Sequence, residues 1–235
     1  MNISSIALHR AGVYCLLLSV AALWATASAS AGVIVGATPF LPSPGLGTVA
    51  VPAIITVVPS NDDVPAPGVL DNNIFVPIKR FDFNGYIDIE FTVVPDVLSP
   101  GGVTEYQVFE SVDNNTGTSW IGYNMYLGFG VGPAWIPSLA GDGLDFDAPI
   151  FTTPPVSSAM GPPALGEDAL LWSGGVHGAG AETYLFRVDV PDIATLPPLF
   201  SSFTLRQIPV AVPEPSTVAL VGLVFISVAA IRRRG

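Results

Sequence analysis

From Gly85 to Val94, Ile87, Ile89, Phe91 and Val93 alternate with Asp88, Glu90 and Thr92. A period of two sends the apolar set to one face and the carboxylates to the other, which an extended strand does and a helix does not. The pattern recurs. Thr104–Val112 places Tyr106, Val108 and Val112 on one face, and Ser119–Phe129 alternates through Ile121, Tyr123, Met125, Leu127 and Phe129. Between them, Asp113-Asn114-Asn115-Thr116-Gly117 is turn chemistry, because Asn and Gly tolerate positive φ. The two segments are therefore expected to form a hairpin. Ala169–Ser173, Thr183–Val190 (with Tyr184, Phe186, Val188 and Val190) and Ser202–Ile208 read as further strands. No apolar repeat of helical period occurs between residues 32 and 211, and proline and glycine punctuate the chain throughout. Many short strands divided by turns predict an all-β domain, an antiparallel β-sandwich of Ig-like or jelly-roll-like form. Gly32–Pro77 differs. The stretches PFLPSPG and PSNDDVPAPG flank TVAVPAIITVV, a strand interrupted by Pro52. That composition suits an edge strand or a loosely packed, Pro/Gly-rich lead-in to the domain.

The ends have their own grammar. Met1–Arg10 is short and basic, Ala11–Ala25 is an almost unbroken apolar run, and small residues follow. Charge, apolar core and small-residue site come in the order of a secretory signal peptide. Signal peptidase needs small side chains at −3 and −1. Ala27-Ser28-Ala29 and Ala29-Ser30-Ala31 both qualify, so cleavage is expected after Ala29 or Ala31 and residues 1–31 are assigned to the leader. At the other end, Val212-Pro213-Glu214-Pro215-Ser216-Thr217 precedes a second apolar run, and Arg232, Arg233 and Arg234 close it. Pro213 and Pro215 hold the motif extended. The apolar run is about 14–16 residues, roughly 21–24 Å as a helix. That is short of the ~30 Å hydrocarbon core and suits a temporary transmembrane helix over 217–231. The arginines act as a membrane stop on the cytoplasmic side.

Pro213-Glu214-Pro215 with its flanking Val212 and Ser216-Thr217, the single apolar segment and the arginine cluster closely resemble the PEP-CTERM sorting signal. The resemblance covers residues 212–235. It implies export, tethering in the inner membrane, and handling by an exosortase-type membrane enzyme in a Gram-negative bacterium. It also implies delivery to the cell surface or extracellular matrix, in company with exopolysaccharide and biofilm. The domains that carry such tails are diverse, so no activity passes to residues 32–211.

Composition narrows the chemistry of that middle part. Between Arg10 and Arg232, a stretch that also takes in Glu214 of the tail, the basic residues are Lys79, Arg80, Arg187 and Arg206, against all 19 acidic ones, a balance of −15. Nucleic acid is excluded as a partner, since phosphate binding needs a basic face. Anionic polysaccharide would be repelled unless a divalent cation bridged the two. The single cysteine, Cys15, lies in the leader, so the mature domain has neither disulfides nor a thiol nucleophile.

Three carboxylates, Asp142, Asp145 and Asp147, fall in a glycine-rich loop, where a hard cation such as Ca²⁺ could find oxygen ligands. The spacing is not that of an EF-hand, and a solvated turn explains the same residues. Asn61-Asp62-Asp63 is a weaker version. His177, the one histidine outside the leader, lies in a glycine-rich stretch that reads as a flexible loop. One histidine without cysteines does not make an ordinary zinc site. Ser173 lacks the glycine-flanked elbow of a serine hydrolase. Asp88 and Glu90 share a strand face and read as solvent-facing. Trp120, Trp135 and Trp172 suit core packing better than a sugar-stacking platform. The expectation is a non-enzymatic structural or interaction protein, with a calcium-assisted carbohydrate-binding module second and a secreted hydrolase third.

Overall fold

The computed structural model describes residues 30–57, 72–100, 102–147, 154–191 and 201–212. The leader up to Ala29, Asn61-Asp62-Asp63, and the tail with Pro213, Glu214, Pro215, Arg232, Arg233 and Arg234 lie outside these residues. Among the described residues no helix is long and apolar enough to cross a membrane.

The strands are β1 (Ser30–Pro39), β2 (Leu46–Val49), β3 (Ala53–Ile55), β4 (Asn73–Phe81), β5 (Ile87–Pro100), β6 (Thr104–Asn114), β7 (Trp120–Phe129), β8 (Ile136–Pro137), β9 (Val156–Ser157), β10 (Ala164–Leu165), β11 (Ala169–Trp172), β12 (Gly180–Val190) and β13 (Ser202–Ala211). One sheet has the order β1-β5-β13-β7-β11-β10, with β8 also on β7. The other runs β2-β4-β6-β12-β9, with β3 also on β4. All pairs are antiparallel except β4–β6. The exception follows from the chain path. After β4 the chain crosses to the other sheet as β5 and returns as β6, and two reversals leave β6 running with β4.

The two sheets face each other over one core, as in a β-sandwich. Phe81 of β4 meets Trp120 and Tyr123 of β7 edge-on, and Tyr184 of β12 meets Trp172 of β11 in the same way. The alternating residues read from sequence are the buried ones: Ile87, Ile89, Phe91 and Val93, then Tyr106, Val108 and Val112, and then Tyr184, Phe186, Val188 and Val190. Each such burial removes apolar surface from water at about 1.5–3 kcal/mol per large side chain, and the core is completed without a disulfide.

The expected hairpin between β6 and β7 does not form. The turn is present: the Asn114 side-chain Oδ1 accepts from the Thr116 backbone N–H (3.1 Å) and hydroxyl (2.8 Å), and Gly117 takes φ +79°. But Asn114 is buried, and its amide donates to the Thr118 carbonyl (2.8 Å) and the His177 carbonyl (3.2 Å). The turn thus carries the chain from one sheet to the other. Both edges of β6 are filled by β4 and β12, and both edges of β7 by β13 and by β11 with β8.

Residues 32–77 are more than a lead-in. β1 forms a full edge strand on β5, and Tyr106 of β6 reaches it by accepting the Ile34 N–H at 3.0 Å. Pro52 interrupts as expected, between β2 and β3. β4 escapes a period-two reading because one extra residue shifts its parity. Val76 sits opposite Glu110 and Lys79 opposite Val112, so three steps on β4 match two on β6. This bulge turns Ile78 out to 40 % exposure and Lys79 inward. A second irregularity lies between Val210 and Ala211 of β13, which face Gly122 and Trp120 of β7. Ile121 is the extra residue. It points outward while Trp120 is buried, against the alternation expected for that strand.

Candidate functional site

The inward turn of Lys79 creates a polar seam in the middle of the core. Lys79 and Glu110 are both fully buried, and Lys79 Nζ donates to Glu110 Oε1 at 2.8 Å. From the facing sheet, Gln207 Nε2 donates to Glu110 Oε2 at 2.7 Å. One carboxylate therefore holds an amine on one oxygen and an amide on the other. Burial lowers the Lys79 pKa, against the opposing pull of the Glu110 charge and hydrogen bond. Two atoms of the seam have no hydrogen-bond partner, Gln207 Oε1 and the Tyr123 hydroxyl. Burial first, and then the Glu110 charge, raise the Tyr123 pKa. From sequence, Tyr123 reads as one of the alternating face residues of its strand, and Lys79, Glu110 and Gln207 carry no site role. The signal was there, since Glu110 and Gln207 stand at core positions of their strands, one flanked by Val108 and Val112 and the other following Phe203 and Leu205.

A second ion pair lies on the outer face of the β5–β13–β7 sheet. Asp88 accepts from Arg206 twice, Nε to Oδ1 and Nη2 to Oδ2, both at 2.7 Å, and from the Gly132 N–H at 2.8 Å. Arg206 also donates to the Gly132 carbonyl at 2.8 Å. Its guanidinium lies 4.1 Å from the Tyr86 ring centre and 4.4 Å from that of Trp135. Asp88 is thus not solvent-facing. The alternation put it on the correct face, but the loop at 130–137 covers that face. Gly128 permits the cover, because a Cβ there would come within 2.6 Å of the Trp135 indole nitrogen. Glu90, its strand neighbour, accepts from the Ser202 hydroxyl at 2.6 Å and remains part-exposed. The two carboxylates do not flank a cleft.

His177 is not in a free loop. It is fully buried, pairs its backbone with Trp120 in both directions, and sets its ring edge-on to the Trp120 ring at 4.6 Å. Nε2 lies 3.0 Å from the Gly180 carbonyl, which can only accept, so Nε2 carries the proton. Nδ1 then accepts from the Tyr184 hydroxyl at 3.1 Å. Burial lowers the histidine pKa, which keeps that neutral tautomer. Trp120 and Trp172 are core residues, while Trp135 is spent on Arg206.

The three aspartates of the glycine-rich loop are dispersed to separate tasks. Asp142 accepts from the Ser138 hydroxyl, the Leu139 N–H and the Leu144 N–H at 2.8, 3.0 and 2.9 Å. It closes its own turn in doing so. Asp145 pairs its backbone with Asp189 on the edge of β12. Asp147 is buried at φ 47°. Among the described residues no group of three or more acidic, histidine or cysteine side chains is placed to hold a metal ion. The loop does perturb one neighbour. Asp168 is pushed up to about 6 by burial, with the charges of Asp142, Glu167 and Asp145 adding to it. Ala31 is fully buried and bridges to Pro191, whereas Ala29 lies outside the described residues.

Two surface depressions, of about 400 and 230 Å³, offer little to a reaction. The first is lined by residues such as Thr38, Leu41, Leu46 and Val51, none of them titratable. The second is lined by Phe75, Phe109 and Thr183 among others, and its one carboxylate is that of Glu110. Residues 211–234 match the family model of the PEP-CTERM protein-sorting motif. The chain carries this sorting motif. It marks an exported protein that is anchored in the membrane before an exosortase, itself a membrane enzyme, processes it. The PEP-CTERM match begins at Ala211, the last residue of β13, which is a central strand of its sheet. No curated protein and no solved structure matches the chain.

Proposed function

We propose that this chain is a non-enzymatic structural or interaction protein of the cell surface or extracellular matrix of a Gram-negative bacterium, associated with exopolysaccharide or biofilm. The observation that carries the reading is the sorting motif at 211–234, joined without a linker to a β domain. The domain's own chemistry supports it. Asp88, Asp142 and His177 are each consumed by contacts that hold the fold together. The acidic balance of the chain favours a neutral glycan, or an anionic one bridged by a divalent cation.

Signal cleavage after Ala29 leaves Ser30 as the first residue and keeps β1 whole. Cleavage after Ala31 would delete a fully buried residue. N-terminal sequencing of the secreted protein is expected to begin at Ser30.

The test of the reading is fractionation of the producing cells with and without Glu214→Ala. The parent is expected in the extracellular matrix fraction and to co-sediment with purified exopolysaccharide, with the variant retained in the inner membrane. An unaltered distribution of the variant, or hydrolysis of the polysaccharide by the parent, would refute the proposal.

A further inference from the structure

We propose that Lys79 and Gln207 become joined by an amide bond within the folded domain, with Glu110 as the proton carrier. The three side chains come from three strands, β4 and β6 of one sheet and β13 of the other. All are fully or almost fully buried. The Glu110 carboxylate holds the Lys79 amine at 2.8 Å and the Gln207 amide nitrogen at 2.7 Å. Nucleophile, proton carrier and leaving nitrogen are therefore already collected on one group, which is what positioning can contribute to a slow acyl transfer.

The step balances without an outside reagent. The step begins with one proton moving from Lys79 Nζ to Glu110 Oε1 along their 2.8 Å hydrogen bond. Burial favours that direction by lowering the lysine pKa. The free amine attacks Gln207 Cδ, forming the Nζ–Cδ bond. The developing charge falls on Gln207 Oε1, an atom with no hydrogen-bond partner in the structure. Glu110 returns its proton to the departing Nε2 and then takes the proton that the new amide nitrogen sheds, so that it ends as the neutral acid. The Cδ–Nε2 bond breaks and ammonia leaves. Nothing is oxidised or reduced. The product is a covalent bridge from β4 to β13, in a chain whose one cysteine, Cys15, has no second cysteine with which to form an internal disulfide.

The experiment is peptide mapping by mass spectrometry of the full-length protein, expressed with its leader and purified folded. After denaturation and digestion, the expected product is one branched peptide containing Lys79 and Gln207. It should be uncut after Lys79 and lighter than the sum of its parts by one ammonia, about 17 Da. Gln207→Ala and Glu110→Gln are each expected to give free Lys79 and tryptic cleavage there. The Gln207→Ala variant retains the Lys79–Glu110 pair and so guards against a fold lost with Glu110. Free, cleavable Lys79 in the folded parent overturns the proposal. So does a bridge from Lys79 to Glu110 with loss of water, or a Gln207 bridge that survives Glu110→Gln.

Discussion

Two of the ion pairs among the described residues, Asp88–Arg206 and Lys79–Glu110, are solved in opposite ways. On the outer face, both oxygens of Asp88 are spent on Arg206 and Gly132, and two aromatic rings flank the guanidinium. In the core, Lys79 and Glu110 are drier still, yet Gln207 Oε1 and the Tyr123 hydroxyl are left without partners. Around Asp88 and Arg206 any movement loses a bond, although the indole N–H of the flanking Trp135 has no partner. An incomplete network in a low-dielectric site has free energy to gain by reacting or rearranging. The clasp on the outside therefore reads as architecture, and the seam inside reads as chemistry held in place.

That contrast can be broken experimentally. The largest effect is expected from Glu110→Ala, which strands a buried amine. It should cost about 3–5 kcal/mol in urea unfolding. Arg206→Met comes next, because Asp88 keeps the Gly132 N–H and can recruit water once the clasp opens. We expect a loss of about 2–4 kcal/mol with a red shift of Trp135 emission. A loss as large as that of Glu110→Ala would remove the distinction between the two sites.

Two titrations sharpen the picture with opposite signs. Asp168 holds its proton more tightly in the fold than in the unfolded chain, since its pKa rises from 3.8 to about 6. Its contribution is most favourable below pH 3.8 and is lost as the pH rises to about 6. Asp168→Asn should flatten that limb of a melting-temperature profile and raise stability at pH 7. His177 does the reverse. Burial lowers its pKa from 6.5, so its contribution is present above pH 6.5 and is lost as the pH falls below it. His177→Gln should remove that acid-side loss. Two variants shifting the profile in the same direction would contradict the burial argument. The smallest effect is expected from calcium. With the oxygens of Asp142 bonded to Ser138, Leu139 and Leu144, calorimetric titration should show no saturable binding. A melting temperature raised by calcium and insensitive to Asp145→Ala would place a site elsewhere.

Much of the architecture was legible because alternation is a local property. Ile87 through Val93, Tyr106 through Val112 and Tyr184 through Val190 each declared a buried face without reference to any partner. The failures share one cause. Asp88 was assigned correctly to its face and wrongly to solvent, because a loop more than forty residues away covers it. The turn at Asn114 was read correctly and its destination was not, because turn chemistry does not say which sheet receives the chain. Bulges at Pro77-Ile78 and at Ile121 shift parity by one residue, and each changes what enters the core: Lys79 in one case and Trp120 in the other.

The sequence by itself determined the export and sorting address, the all-β class and the larger part of the apolar core. These depend on composition and on neighbours two residues apart, which the covalent chain fixes. Which polar groups meet was decided only by the tertiary structure. Lys79, Glu110 and Gln207 are spread across three strands and two sheets. What joins them is the free-energy cost of burying each one alone, a quantity defined only once the sheets have closed on each other.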